Sequence, residues 1–505
     1  MYNFLFLRHI NQNFKFMKKL SLMVFTALLT AAVSLVNAQL EYSAFTQTGS
    51  GYSVTAATDY QSLGINPANL GWKRNMHAWN VTFVEGGYSV YSEPLTKEQV
   101  YTDLFGSESE EFPDYNVNPQ PRLDAIEKFT DARLLGSAAI TLFGISYQKE
   151  KFGGIAFAVR SRVHWNSVLN QKAARFLFLG YNDEEYFEIM EDEKGKYGKA
   201  IDPESTSKLY SPSHLEHIWY NEYVLGYGNK IINEDGFKLY GGFALKYLQG
   251  YGSVYVDIPD VNTAIGYQAL CPLYKVDYGD NETPSQMEGD GLQTAGTGFG
   301  FDLGLTFQVE EELKVSVAVN DIGSINWDGN VYDGTNPDVD EIRSAGLSSY
   351  NIFAEAGDVI SDNTNVGEWE GLLEKKVGLP TNLRAGISYQ FNPQWEVGTD
   401  LYYALKDDVP GAFRDPVFGI GTRYDPANWV QLSAGFVSGG QFGWDIPFGA
   451  TFRPVNDDKT SWEIGFAVRD LPSLFKEDDV TVSVVMGLLR FSFGYEEDEK
   501  RFLDE

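Results

Sequence analysis

Through the C-terminal two-thirds of the chain, apolar side chains recur at every second position, in runs too long for any element but a strand. Phe299, Phe301, Leu303, Leu305, Phe307 and Val309 alternate with Gly300, Asp302, Gly304, Thr306 and Gln308. Leu383, Ala385, Ile387, Tyr389 and Phe391 alternate with Arg384, Gly386, Ser388 and Gln390. A period of two puts one set of side chains on each face of a sheet, whereas a helix would repeat near 3.6. Fourteen such strands are expected, at 76–91, 134–147, 152–168, 219–232, 237–252, 296–309, 312–327, 381–391, 394–406, 414–424, 428–437, 441–453, 460–471 and 480–495. In the last, the phase slips as it does across a bulge. Pro447 falls inside the twelfth, where its missing N–H weakens a ladder.

The connections constrain the architecture further. Strands two and three meet at Lys149-Glu150-Lys151, and four and five at Asn233-Glu234-Asp235-Gly236. Strands six and seven meet at Glu310-Glu311, eight and nine at Asn392-Pro393, and ten and eleven at Asp425-Pro426-Ala427. The intervening connections 92–133, 169–218, 253–293 and 328–379 are long. Short turns alternating with long loops are the signature of an outer-membrane barrel. An even strand count returns both ends of the barrel to the periplasmic side. A secreted sandwich or propeller is the alternative. Its strands would run about five or six residues, with Lys and Glu on the outer face. These strands run about 10–14 residues, the length of tilted membrane strands. Their polar face mixes Gly with Arg160, Arg162, Lys246, Asp302, Arg384, Asp400, Arg423 and Arg469, both signs together. Trp79, Trp165, Trp395, Trp429 and Trp462 fall near strand ends, as an aromatic girdle would. The reading is an all-β chain: a fourteen-stranded antiparallel transmembrane β-barrel over 76–495.

The flanks are different. The first 38 residues hold Arg8, Lys15, Lys18 and Lys19 but no acid, and an apolar run from Leu20 to Val36 ends in Val36-Asn37-Ala38. That reads as a secretory signal peptide, with Met17 as an alternative start, and an uncleaved membrane anchor is the competing reading. No Cys follows the cleavage site, which excludes a lipoprotein. Residues 39–75 lack strand alternation and are too apolar for a linker, so they are expected to plug the lumen. Residues 496–505 form an acidic tail expected on the periplasmic side. The net charge of −31 excludes nucleic-acid binding through a general field. Much of the acid lies in the long connections. Loop 92–133 carries ten acids to four bases, and loop 328–379 eleven to three, which predicts a solvated anionic crown outside the cell.

Chemistry-bearing patterns are sparse. One Cys, Cys271, excludes a disulfide scaffold and Cys-based metal sites. No Gly-x-Ser-x-Gly elbow or phosphate loop is present. His164, on the polar face of strand three near Ser161 and Ser167, reads as a lumenal hydrogen-bonding residue, so no catalytic residue and no cofactor are expected. His214 and His217, with Glu216 between, read as a surface loop–strand junction rather than a metal pair, because positions three apart on a strand face opposite ways. Asp328, Asn330, Asp333, Asp338 and Asp340 are oxygen-rich but miss the calcium-loop spacing. They read as solvated loop, with weak divalent binding the alternative. Arg160, Arg162, Asp302, Arg384, Asp400 and Arg423 are candidate lumen-lining charges, more readily paired across the lumen than lining a path.

Asn66-Pro67-Ala68-Asn69-Leu70, just ahead of the first strand, resembles the N-terminal hatch motif of FadL-like outer-membrane barrels. The phrasing of 296–327 and 380–495 also resembles an uncharacterised family of Bacteroidota outer-membrane barrels. The first resemblance implies a fourteen-stranded porin-like barrel in the cell outer membrane, with Asn66, Pro67, Ala68 and Asn69 shaping a hatch. It implies a passive transporter of hydrophobic or amphipathic small molecules. Its partners would be membrane lipid, lipopolysaccharide, a hydrophobic ligand and the barrel-assembly machinery. A FadL-like branch serves type nine secretion, so a binding or assembly module is the alternative. For a transporter, Phe176, Leu177, Phe178 and Leu179 are expected over an apolar pocket beneath the loops; continuation of strand three or loop core are the alternatives.

Overall fold

The computed structural model describes residues 43–495 except 107–110, 277, 279–281, 352–354, 356–368, 414, 441–442 and 477–479. The expected leader and the acidic tail lie outside the described residues.

Fourteen long strands form one closed antiparallel barrel. They are β1 (His77–Ser92), β2 (Arg133–Lys149), β3 (Gly153–Val168), β4 (Ser213–Glu234), β5 (Phe237–Asp260), β6 (Gly296–Val309) and β7 (Leu313–Trp327). They continue as β8 (Asn382–Asn392), β9 (Trp395–Ala404), β10 (Val417–Ala427), β11 (Val430–Gly439), β12 (Phe448–Asn456), β13 (Thr460–Val468) and β14 (Thr481–Tyr495). Each pairs with its neighbours in sequence, and β1 pairs with both β2 and β14, which closes the ring. Closure leaves no unpaired edge, the condition for crossing a bilayer with strands.

Burial is inverted relative to a soluble protein. On β6, Phe299, Phe301, Leu303 and Leu305 are exposed, Phe299 by 73%, while Asp302 and Thr306 are fully buried. On the same pattern Arg160, Glu222, Lys246 and Arg423 are buried, whereas Phe243, Leu245, Leu489 and Phe493 face outward. An apolar band of this extent around a wall marks a lipid contact. Trp79, Trp395 and Trp429 are exposed at the short-turn end, and Trp462 stacks on Phe491 with ring centroids 6.2 Å apart.

Bulges set where the alternation breaks. In β14 the register to β13 slips between Gly487 and Arg490, which explains the irregular phase of that strand. In β7 the register slips between Val319 and Ile322, and Asp321 there takes φ +58°. Pro447 lies just before β12, so the twelfth strand begins at Phe448. Trp444–Asp445 ahead of it forms a separate short pairing with β11.

The long connections are folded rather than simply solvated. β4 and β5 reach 22 and 24 residues, and β5 continues into a strand at Thr263–Leu270. That strand pairs with Val331–Gly334, which pairs with Trp369–Leu372. Helices Gln120–Phe129 and Gln171–Leu179 pack over the barrel mouth. Phe178 and Leu179 join one apolar core of this outer layer with Phe112, Phe129 and Tyr350, and Phe176 joins another. The four residues 176–179 therefore end a helix and fill loop core instead of lining a pocket. Trp165 also packs into that core, so it is not part of the girdle.

Two further expectations are corrected here. His214 and His217 are buried within β4, which starts at Ser213, so neither sits on a surface loop. They turn to different partners: His214 Nδ1 lies 3.0 Å from Asp257 Oδ1, and His217 Nε2 lies 2.6 Å from the Tyr274 hydroxyl. The stretch 328–340 is a set of separate structural contacts. Asn330 is buried, accepts from the Met287 N–H at 2.8 Å and donates to the Leu270 carbonyl at 2.8 Å. Asp333 pairs with Lys375, Asp338 bridges to Ser205 through its backbone, and the Asp340 carbonyl accepts from Ala200. The Asp328 N–H donates to the Ala295 carbonyl. Among the described residues, no group of three or more His, Cys, Asp or Glu side chains is arranged to hold a metal ion.

Candidate functional site: the lumenal N-terminal segment and its seat

Residues 43–70 are all buried, and they lie inside the barrel. Their local structure is a series of tight turns, the 3₁₀ turns Asp59–Ser62 and Pro67–Gly71 among them. Asn66 caps the second turn: its Oδ1 accepts from the Ala68 N–H at 3.1 Å, and Pro67 occupies the first position, where no N–H is needed. The same side chain donates to Thr306 Oγ1 on β6 at 2.9 Å. Asn69 donates to the carbonyls of Val54 (2.9 Å) and Ala57 (2.8 Å), and accepts from Thr306 Oγ1 at 2.8 Å. The two asparagines thus close the segment on itself and fasten it to one wall residue. Val54, Ala57 and Ile65 give it a small core of its own.

The seat is made of glycine. A Cβ on Gly242 or Gly228 would collide with the Pro67 carbonyl, and one on Gly304 with Asn66 Oδ1. Only hydrogen at these three positions lets the backbone of 66–68 lie against β4, β5 and β6.

Around the wall, inward polar side chains hold the rest. Arg160 donates to the Leu63 carbonyl at 2.6 Å and the Tyr60 carbonyl at 3.1 Å. Asp400 accepts from the Ser53 and Val54 N–H groups, the latter at 2.9 Å. Arg423 donates to Gln47 and to Ser50 Oγ, the latter at 3.2 Å. Glu85 accepts from the Tyr60 hydroxyl at 2.8 Å and from Gln61 at 2.7 Å. Arg490 pairs with Asp59 at 2.6 Å and with Glu463. Asn320 donates to the Ile65 carbonyl at 3.0 Å. A buried peptide without regular structure must find partners for its backbone groups, and the barrel wall supplies them.

Of the six charges singled out in the sequence, Arg160, Asp400 and Arg423 hold this segment. Arg162 and Asp302 belong to a second cluster beside it. Arg162 lies 3.1 Å from Glu222, and Lys246 bridges Asp302 (2.8 Å) and Asp321. Arg384 donates to Asn382 at 3.3 Å and lies over the Tyr402 ring at 5.6 Å. Glu85, Arg490 and Asp321 carry equal weight, yet the alternation hides them. Each sits at or beside a bulge, and the signal that marks them is a carboxylate or guanidinium breaking strand phase. Below the segment, at the short-turn end, a cavity of about 740 Å³ opens, lined by Trp72, Arg74, Lys314, Glu396 and Arg453 among others.

A closed fourteen-stranded barrel with an apolar outer band and a lumen filled by its own N-terminal segment defines an outer-membrane-type β-barrel. Residues 95–456 match the model of a family of unknown function (DUF5723), and the chain belongs to that family. No curated protein matches the chain. Among solved structures, it is similar to the Pseudomonas putida toluene transporter TodX, at 12% identity and a TM-score of 0.40, covering 91% of this chain and 100% of that one. It is similar to a Pseudomonas aeruginosa FadL homologue, at 10% identity and a TM-score of 0.40, with 91% and 100% covered. A mutant of Rh. blastica porin is matched at 10% identity and a TM-score of 0.21, with 82% and 99% covered.

Proposed function

We propose that this chain sits in the cell outer membrane and passes hydrophobic or amphipathic small molecules inward, with residues 43–75 acting as a hatch. The observation that carries this reading is how the lumen is filled. The segment has its own small core and is tied to the wall by hydrogen bonds and ion pairs, with small apolar contacts of Phe45, Tyr60, Leu63 and Leu70 beside them. Exchanging a neutral hydrogen bond for water changes free energy by only about 0.5–1.5 kcal/mol. A local rearrangement of the hatch would exchange these bonds and separate small apolar contacts, leaving the strand ladders of the wall intact. The glycine seat supports the same reading, since a permanent filling would be built from side chains of the wall. Membrane lipid would cover the outer band, lipopolysaccharide would meet the acidic outer layer, and the barrel-assembly machinery would insert the chain.

The test is a tether. Ser53→Cys with Asp400→Cys, in a Cys271→Ser background, places two thiols where the Ser53 and Asp400 side chains now lie 3.2 Å apart. In proteoliposomes, the oxidised protein is expected to block entry of small aromatic and amphipathic solutes, and reduction to restore it. Equal entry in both states, or none in the untethered protein, would rule the hatch reading out.

A further inference from the structure

Above the hatch, three polar side chains on neighbouring strands face the lumen and take no part in holding it. Ser137 on β2 and His164 on β3 are direct cross-strand partners. Ser137 Oγ lies 2.9 Å from His164 Nδ1, and His164 Nε2 lies 3.0 Å from Glu216 Oε1 on β4. Glu216 is 2% exposed and is held in place by Asn166 Nδ2 at 3.3 Å and His214 Nε2 at 3.4 Å. A carboxylate only accepts, so it keeps the imidazole proton on Nε2. The lone pair of Nδ1 then faces the Ser137 hydroxyl, the polarity that a base-activated nucleophile requires. Sequence reading placed His164 near Ser161 and Ser167; the fold gives it Ser137 instead.

The surroundings fit a reacting site. Ser137 is partly exposed while His164 and Glu216 are buried, so the nucleophilic atom is the accessible one. Phe413 meets the imidazole edge-on at 5.8 Å, and with Leu135 and Tyr402 it belongs to an apolar cluster on this side of the lumen. Ser89 stands next to Ser137 in the same cross-strand row. Its hydroxyl is buried, with no hydrogen-bond partner among the described residues, and is a free donor beside the site.

We propose that Ser137, His164 and Glu216 form an ester-hydrolysing site inside the lumen, for neutral carboxylic esters with an apolar acyl group. Ser137 Oγ attacks the ester carbonyl carbon while its proton passes to His164 Nδ1. The tetrahedral adduct collapses by breaking the bond to the alkoxy oxygen, which takes that proton and leaves as the alcohol. Water then attacks the acyl-serine, giving its proton to His164. The released carboxylic acid leaves, and Ser137 recovers its proton. Glu216 acts as a positioning residue throughout.

The experiment uses the full-length folded barrel in detergent and a fluorophosphonate probe, which phosphonylates activated serines whatever their natural substrate. Stoichiometric labelling, located to Ser137 by peptide mass spectrometry, is expected, and it should vanish in Ser137→Ala. His164→Asn should slow labelling by about a hundredfold or more. Glu216→Gln should slow it and move its pH profile, which a purely structural carboxylate would not do. Retained heat-modifiable mobility on gels shows that each variant is folded. No labelling of the folded native protein, or labelling that survives Ser137→Ala, overturns the proposal. Neither outcome bears on the hatch, whose tether test reads solute entry.

Discussion

At the scale of single residues, the hatch position is set by groups that are absent as much as by groups that are present. Gly242 has no side chain, and the Pro67 carbonyl occupies that space. Gly242→Val is expected to expel residues 66–68 from their seat while leaving the ladder of β5 intact. Limited proteolysis of the folded barrel should then cut within 43–75, where the native protein resists. Arg490 is the opposite case. It answers Asp59 and Glu463 and lies over the Tyr60 ring at 5.7 Å. Removing one partner of a buried ion pair costs about 3–5 kcal/mol, because the remaining charge stays desolvated. Arg490→Met is thus expected to raise amide exchange around residues 59–66 by roughly a hundredfold or more, since each 1.4 kcal/mol is about tenfold. Unchanged exchange would mean that the pair does not hold the hatch.

At the scale of elements, the barrel rests on closed strand ladders, and the outer layer on apolar cores that reach the strand ends through Val90, Leu134, Trp165 and Val482. Phe178 is fully buried in the larger of these, against Phe112 and Phe129 at ring distances of 6.0 and 5.1 Å. Phe178→Ala should cost that layer about 3–5 kcal/mol. The expected readout is faster protease cleavage within 92–133 and 169–218, with unchanged heat-modifiable mobility of the barrel. A loss of barrel mobility would show that the two layers fold as one. Element boundaries were largely legible in the sequence, because lipid outside and a polar lumen inside enforce a strict period of two. The expected and observed ends diverge where that contrast fades. β4 and β5 run on into the outer layer, and Pro447 breaks the ladder before β12.

At the scale of the whole molecule, the fourteen-stranded wall encloses a lumen that residues 43–70 fill. Deleting residues 44–71 is expected to convert a barrel silent in planar bilayers into one with steady ion conductance. A deletion variant that folds yet stays silent would show that the charged cluster of Arg162, Glu222, Lys246, Asp302 and Asp321 closes the lumen unaided. The sequence by itself determined the number, direction and faces of the strands and the alternation of turns and loops, because each is a local consequence of periodicity. The alternation also marked Arg160, Asp400 and Arg423 as inward charges, and a family resemblance singled out Asn66-Pro67-Ala68-Asn69 as a hatch motif. What those charges hold was decided only by closure of the barrel. Closure and the seating of the N-terminal segment bring Arg490 to Asp59 and Glu85 to Tyr60, and strand pairing sets Ser137 against His164 and Glu216. Partners so far apart in the chain leave no pattern in it. Their meeting depends on strand register and on bulges, which move a side chain from one face to the other without any change in composition.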